Sequence, residues 1–262
     1  MPFKEGELVV FADQRIKLLQ RLTPGERLHT YWGYIEHDEV LGLEPGSIVR
    51  TSEGKKLYVF YPTLSNYIVK MPRKSGIIYP KDLGIIMMWG DIRPGHRVLV
   101  GGVGSGALLL AVLRQVGTAG KVVAYDIRQD MLDCAMENIK AWFGHLPSHL
   151  ELKLGDIYEA GGESGFDRVI LDVPEPWRAV RTLDNALVPG GILCSYLPSI
   201  MQVRTFTTVL QKSGTFGLIE TLEVMLRSWH IEGRAVRPQH RMVGHTGFLT
   251  FARKLSRQEF VG

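Results

Sequence analysis

Cysteine is nearly missing from this sequence. The two present, Cys134 and Cys194, cannot make a disulfide framework and show no metal-ligand spacing; they read as core thiols of a reducing compartment. No apolar run approaches the roughly 18 residues that a membrane-spanning helix requires. The opening MPFKEGELVVFADQ has no uncharged apolar stretch of signal-peptide length. No membrane association is therefore expected, and a cytoplasmic location is. Internal repeats and low-complexity tracts are absent as well. His230, His240 and His245 are too widely spaced for a compact metal site, so no metal is expected.

What is present is a globular composition, 45% hydrophobic and 22% charged over 262 residues, enough chain to bury a large core. The net charge of +4 is unevenly spread. Between Arg227 and Arg257 seven Lys and Arg residues stand against one acid, Glu232. Between Ala124 and Pro176 eleven acids stand against four bases. The basic end points to a polyanionic partner, the acidic middle to a cationic or polyhydroxylated ligand.

Residues 1–65 read as a small β-rich N-terminal domain, with strands at Glu7–Ala12 and Lys56–Tyr61 and turns at Pro24-Gly25, Pro45-Gly46 and Glu53-Gly54. Residues 66–91 form a helical linker. From residue 92 to 262 strands and helices alternate. Strands fall at Arg97–Val100, Lys121–Tyr125, Leu150–Leu154, Arg168–Leu171 and Ile192–Leu197, the last opened by a Pro189-Gly190-Gly191 turn. Helices cover Ala107–Val116 and Met131–Phe143. This alternation predicts an α/β fold with a Rossmann-like doubly wound sheet. Leu218–Leu226 and Gly247–Ala252 are expected to pair antiparallel near the end. Cys194 and the Met87-Met88-Trp89 run read as packing.

The first strand of the alternating part leads into Gly101-Gly102-Val103-Gly104-Ser105-Gly106 and then a helix. Glycines 102, 104 and 106 allow close backbone approach to a ligand at a helix N-terminus. Asp126 ends the next strand, where a carboxylate meets ribose hydroxyls. The pattern means an adenosine-containing cofactor and also satisfies the dinucleotide fingerprint of an NAD enzyme. Asp156, after the third strand, and Asp172, closing the fourth, tilt the choice to S-adenosylmethionine. The carboxyl ends of parallel strands share one crevice, so Asp126, Asp156 and Asp172 converge there. A turn or cap role competes for Asp156. It competes less for Asp172, because Pro174 and Pro176 prevent a helix from starting directly after it.

Beyond these features, the chain resembles the tRNA adenine-N1 methyltransferases of bacterial and archaeal type, which modify adenine 58 of the T-loop. The resemblance runs from about Gly33 to Lys254. It is carried by Glu36-His37-Asp38-Glu39, Ile77-Ile78-Tyr79-Pro80-Lys81-Asp82, Gly104-Ser105-Gly106, Asp172-x-Pro174-x-Pro176-Trp177, Arg237-Pro238 and His245-Thr246-Gly247-Phe248-Leu249. It implies a class I methyltransferase fold, S-adenosylmethionine as cofactor, tRNA as substrate and a homotetramer. By position it also implies a cofactor loop of Ser105, Gly106, Ala107 and Leu108, a ribose contact at Asp126 and base recognition at Asp156. Met131 would lie near the adenine, Asp172 would be the catalytic acid and Tyr79 the substrate-side tyrosine.

The residue types suit the chemistry. Adenine N1 has its own lone pair, so positioning is the main task. Positive charge then grows on the ring, and a carboxylate accepting from the exocyclic amino group stabilises it and takes a proton. N1 lies on the pairing edge, so the base must be extruded. Arg234, Arg237 and Arg241 are the expected phosphate contacts, with Trp177 and Trp229 as stacking candidates against a plain core role.

Two positions depart from the family pattern. Val100 stands where a glutamate normally meets the cationic methionine end of the cofactor, and Gly76 stands where glutamine is usual. Loss of one such charge-assisted contact costs roughly 1.5–3 kcal/mol. These departures support a rival reading, a non-catalytic tRNA-binding subunit with a degenerate cofactor site. Asp172, Tyr79, Asp126 and Asp156 argue against it, so weakened or rearranged cofactor binding is expected rather than its absence. An NAD oxidoreductase ranks third, because no hydride-transfer site accompanies the fingerprint.

Overall fold

The computed structural model describes residues 1–256; Arg257, the last base of the C-terminal segment, lies outside the described residues. The chain divides into two compact units, Met1–Met71 and the remainder from Pro72.

In the first unit, β1 (Leu8–Ala12), β2 (Lys17–Arg21), β5 (Ile48–Arg50) and β6 (Lys56–Phe60) form an antiparallel sheet of order β2-β1-β6-β5. The strands β3 (Arg27–Thr30) and β4 (Gly33–Glu36) form a separate hairpin. The period of two is clearest in β6, where Leu57 and Val59 are fully buried between exposed Lys56, Tyr58 and Phe60. Helix α1 (Leu64–Lys70) starts at a reciprocal cap between Thr63 and Asn66. The Glu36-His37-Asp38-Glu39 motif is structural here. His37 is fully buried beside Thr23, and the Asp38 carboxylate accepts from the Gly25 amide at 3.2 Å.

The second unit opens with α2 (Pro80–Trp89) and alternates through β7 (Arg97–Gly101), α3 (Ala107–Val116), β8 (Lys121–Asp126), α4 (Gln129–Phe143), β9 (Leu150–Leu154), β10 (Phe166–Leu171), α5 (Val180–Ala186), β11 (Leu187–Leu197) and α6 (Ile200–Ser213). It ends with β12 (Phe216–Glu223), a hairpin of β13 (Trp229–Glu232) and β14 (Ala235–Pro238), and β15 (Phe248–Lys254). The seven-stranded sheet has the order β12-β15-β11-β10-β7-β8-β9. β11 through β9 run parallel, while β15 is antiparallel to both neighbours. Val98, Leu99 and Val100 of β7 have no exposed surface, as a central parallel strand covered on both faces requires. Eight of the ten residues of α3 are buried, which fits its nearly unbroken apolar sequence.

Two sequence expectations change. Pro189-Gly190-Gly191 does not precede β11 but lies inside it as a bulge. The pairing jumps from Phe166–Leu187 to Arg168–Ile192, and Gly190 takes φ +79°, because ladder contacts on either side hold the loop-out in place. Met88 and Trp89 do not pack. They are 72% and 45% exposed, since α2 buries the Leu83 and Ile86 stripe and these two fall outside it. Cys194 is buried in β11, and no helix among the described residues is long and apolar enough to cross a membrane.

Beyond the strand ends the backbone stays tied. The Asp172 amide donates to the Gly101 carbonyl (2.8 Å), Gly102 to Tyr125 (2.9 Å) and Gly155 to Asp126 (3.0 Å). Gly102 sits at φ +87°, where a Cβ would fall 2.1 Å from the Asp172 carbonyl oxygen. Gly102→Ala is therefore expected to cost about 2–3 kcal/mol in denaturant unfolding. Gly76→Ala, with nothing within 4 Å of its added Cβ, is expected to leave stability unchanged.

Candidate active site at the carboxyl ends of the strands

Two cavities open where β7, β8, β9 and β10 end. The first, 320 Å³, is walled by Gly102, Tyr125, Asp126, Asp156, Tyr158 and Asp172, among others. The second, 630 Å³, contains Tyr79, Asp172, Tyr196, Gln202, His245 and Thr246 in its wall. Asp172, Val173 and Pro174 belong to both and form the partition between them.

On the first side, Asp126 is heavily engaged. Its Oδ2 accepts from the amides of Val103 and Gly104, both at 3.0 Å, and its Oδ1 from the Arg128 amide at 3.0 Å. Of the roughly four acceptor positions of a carboxylate, about one remains for a ligand hydroxyl. Asp156 caps the short helical turn Ile157–Glu159 by accepting from the Tyr158 amide at 2.9 Å. The capping role weighed in the sequence is thus present, and Asp156 also lines the cavity. A nucleoside with a cationic centre fits this wall. Carboxylates can accept from its hydroxyl and amino groups, and glycine at 102 leaves space that a Cβ would remove.

The other loop positions lie behind the wall. Ser105 is 1% exposed, its Oγ accepting from the Lys74 amide at 3.0 Å and its carbonyl from Asn138 Nδ2 at 2.9 Å. Gly106 presses on Ala135, which leaves only 3.2 Å for a Cβ. Ala107, Leu108 and Met131 are buried in α3 and α4. None of these five, nor Gly104, lines either cavity. Val100 is likewise sealed in β7.

Asp172 is different. Among the described residues its carboxylate has no hydrogen-bond or ion-pair partner, and the residue is exposed to the open cavities. Crowding by surrounding protein, with a smaller contribution from the Asp126 charge, pushes the carboxyl up to about 7. Tyr79 caps α2 through its backbone and leaves its ring 40% exposed in the same cavity.

The far wall comes from residues distant in sequence. Lys81 Nζ donates to Asp82 (2.8 Å), to the Val224 carbonyl (2.7 Å) and to Thr246 Oγ1 (2.6 Å), and Thr246 donates to the other Asp82 oxygen at 2.8 Å. Asp82 has no exposed surface. The Tyr-Pro-Lys-Asp and His-Thr-Gly motifs therefore meet as one buried charge cluster. Tyr196 donates to the Thr246 carbonyl at 2.6 Å, and burial pushes its phenol up to about 12, so it stays a donor. Gly247 is required beside it: a Cβ there would lie 2.5 Å from the Tyr196 ring. His245 donates from Nδ1 to Glu223 (2.7 Å) and from Nε2 to the Pro198 carbonyl (2.9 Å). An acceptor at each nitrogen favours the protonated ring, and its pKa is raised, chiefly by Glu223.

Tyr196, Gln202 and Tyr158 were not singled out in the sequence. Only Gly247, small beside a bulky neighbour, hints at Tyr196. Arg234, Arg237 and Arg241 are exposed on and after the β13–β14 hairpin, and Trp229 is 55% exposed there, so a core role does not hold for it. Trp177 is half-buried. No cluster of His, Cys, Asp and Glu among the described residues could hold a metal ion.

Residues 55–237 match the family model described as the tRNA methyltransferase complex GCD14 subunit, and residues 2–49 match a TrmI-like N-terminal model. The chain is 36% identical to the tRNA (adenine(58)-N(1))-methyltransferase TrmI of Thermus thermophilus, over 88% of this chain and 89% of that one. It is 31% identical to the tRNA (adenine(57)-N(1)/adenine(58)-N(1))-methyltransferase TrmI of Methanocaldococcus jannaschii, over 93% and 94%. Among solved structures, a SAM-dependent O-methyltransferase from Thermotoga maritima superposes with a TM-score of 0.92 at 37% identity, covering 98% of this chain and 96% of that one. The tRNA (m1A58) methyltransferase TrmI of Aquifex aeolicus gives 0.88 at 31%, covering 98% and 100%.

The raised Asp172 carboxyl has a consequence for stability. Between about pH 4 and 7 the folded state holds a proton that the unfolded state has released, so wild-type stability falls as pH rises through this window. Asp172→Asn removes that dependence. Its melting temperature relative to wild type is expected to climb from pH 4 to pH 7 and level off above, as thermal scans across pH will show.

Proposed function

The chain belongs to the family of the tRNA methyltransferase complex GCD14 subunit, and from that membership we propose that it methylates N1 of adenine 58 in the T-loop of tRNA. S-adenosylmethionine is the proposed methyl donor, held at the 320 Å³ cavity by Asp126 and Asp156, with the backbone of Gly102 admitting it closely. When bound, this cofactor supplies an electrophilic methyl group on a sulfonium. A homotetramer acting in the cytoplasm completes the reading.

The observation that carries it is the partition. One unpartnered carboxylate, Asp172, faces both the cavity suited to a nucleoside cofactor and the larger cavity beside it. There it can accept from the exocyclic amino group of an extruded adenine, orient N1 and take up the proton that the ring's new charge makes acidic. Tyr79 offers its exposed ring to the same base. Tyr196 and His245 shape the wall, and their donors are committed to protein acceptors. Gly76, with open space around it, leaves the cavity wide where a longer side chain would narrow it. Support for a catalytic chain over a cofactor-free subunit comes from the same place: a subunit that only binds RNA has no use for a free carboxylate crowded towards neutrality. Val100, buried in β7, is removed from that argument.

Incubation of the protein with unmodified tRNA and labelled S-adenosylmethionine, followed by nucleoside digestion, tests the reading. Label is expected in 1-methyladenosine rather than in a ribose O-methyl nucleoside. Asp172→Ala is expected to lower kcat by about 10²-fold or more while calorimetry still shows cofactor binding. The wild-type rate is expected to rise with pH through about 7, as the Asp172 carboxyl ionises, and then to level.

A further inference from the structure

Beside the active site lies a surface to which no role has been given. The short helical turn Pro176–Ala179, α5 and α6 pack against one another and enclose a groove of 490 Å³. Its floor is apolar and aromatic, made by Val180, Val209 and the half-buried ring of Trp177, while Arg181 and Lys212 stand at its rim. From Pro176 to Ser213 the sequence has four bases and a single acid. That acid, Asp184, is engaged by Lys254. Arg181, Arg204 and Lys212 are exposed, and among the described residues none of them forms an ion pair.

The cations are strung out rather than gathered. Arg204 and Lys212 are eight residues apart on α6, about 12 Å along its axis. A small phosphate ligand requires donors that converge on one point. A row of this length matches roughly three successive charges of a nucleic-acid strand. The row also begins where the substrate must enter, since Gln202, half a turn before Arg204, lines the 630 Å³ cavity. The aromatic floor distinguishes the surface further: a half-buried indole lining the same groove as two cations offers a π-face to an unstacked base.

We propose that this surface binds an RNA strand, with Arg181, Arg204 and Lys212 on its phosphates and the Trp177 groove receiving an unpaired base. The proposal rests on the tRNA-substrate reading above. It places RNA contact on α5 and α6, in addition to the arginines of the C-terminal hairpin.

The test uses the full-length protein and labelled unmodified tRNA, with affinity measured by fluorescence anisotropy over a series of salt concentrations. The triple variant Arg181→Ala, Arg204→Ala, Lys212→Ala is expected to bind roughly tenfold more weakly and to flatten the slope of log Kd against log salt by roughly two. Its melting temperature and its affinity for S-adenosylmethionine should stay at wild-type values. Trp177→Leu, which keeps an apolar side chain, should weaken binding without changing that slope, and Trp177→Phe should restore most of the loss. A triple variant with wild-type affinity and slope overturns the proposal while leaving the tRNA reading intact. A wild-type protein that binds no tRNA overturns both. A triple variant whose oligomeric state changes on sedimentation assigns the surface to a second copy of the chain, and the RNA proposal fails. Equal binding by Trp177→Leu and wild type removes the base-binding groove.

Discussion

The site depends on a line of three backbone hydrogen bonds laid across the ends of four parallel strands. Asp172 to Gly101, Gly102 to Tyr125 and Gly155 to Asp126 continue the sheet ladder past the point where the strands stop. Their effect is to hold four otherwise independent loops abreast. Gly102 is the tightest member, because a side chain there would collide with the Asp172 carbonyl. Glycine at this place lets the β7 and β10 ends close on one another, and the carboxylate of Asp172 inherits its position from that closure.

Three carboxylates brought so near one another would repel if all were equally free. They are not. Asp126 receives three backbone amides and Asp156 one, so much of their charge is already answered by N–H dipoles. Asp172 receives none among the described residues, and crowding leaves it closest to protonation. The sheet thus sorts chemically identical groups into two answered by backbone amides and one left unpartnered and closest to neutrality, as environments commonly do for paired acids. Asp126 both lines the smaller cavity and fastens the glycine loop, so the cavity wall and the loop geometry share one side chain.

Much of this was legible in advance for a local reason. The strand, glycine loop, helix and terminal carboxylate of β7 to β8 are contiguous, and each step has a sequence signature. Asp172 could be read because two prolines disqualify the helix that would otherwise claim it. The rest depends on long-range pairing. Nothing in Tyr196 distinguishes it from a core tyrosine until β15 brings Thr246 to its hydroxyl. The turn at Pro189-Gly190-Gly191 looked like a boundary, yet pairing on both sides absorbed it into β11 as a bulge. Met88 and Trp89 looked like packing because composition does not show which side of α2 meets the sheet. At Asp156 the cap of the short helical turn and the cavity wall coincide, so choosing between them from the sequence posed a false alternative.

Asp82 and Lys81 lie early in the second unit, and the hydroxyl that completes their cluster, Thr246, lies 164 and 165 residues later. During synthesis at the ribosome the parallel core from β7 to β11 can therefore form while Asp82 still lacks one of its partners. The wall of the larger cavity closes only after the chain has been made past Thr246 and β15 has inserted beside β11. Until then Tyr79 and Asp172 face an unfinished pocket. The emerging chain is thus a folded parallel core whose larger cavity still lacks the wall that Thr246 and β15 supply.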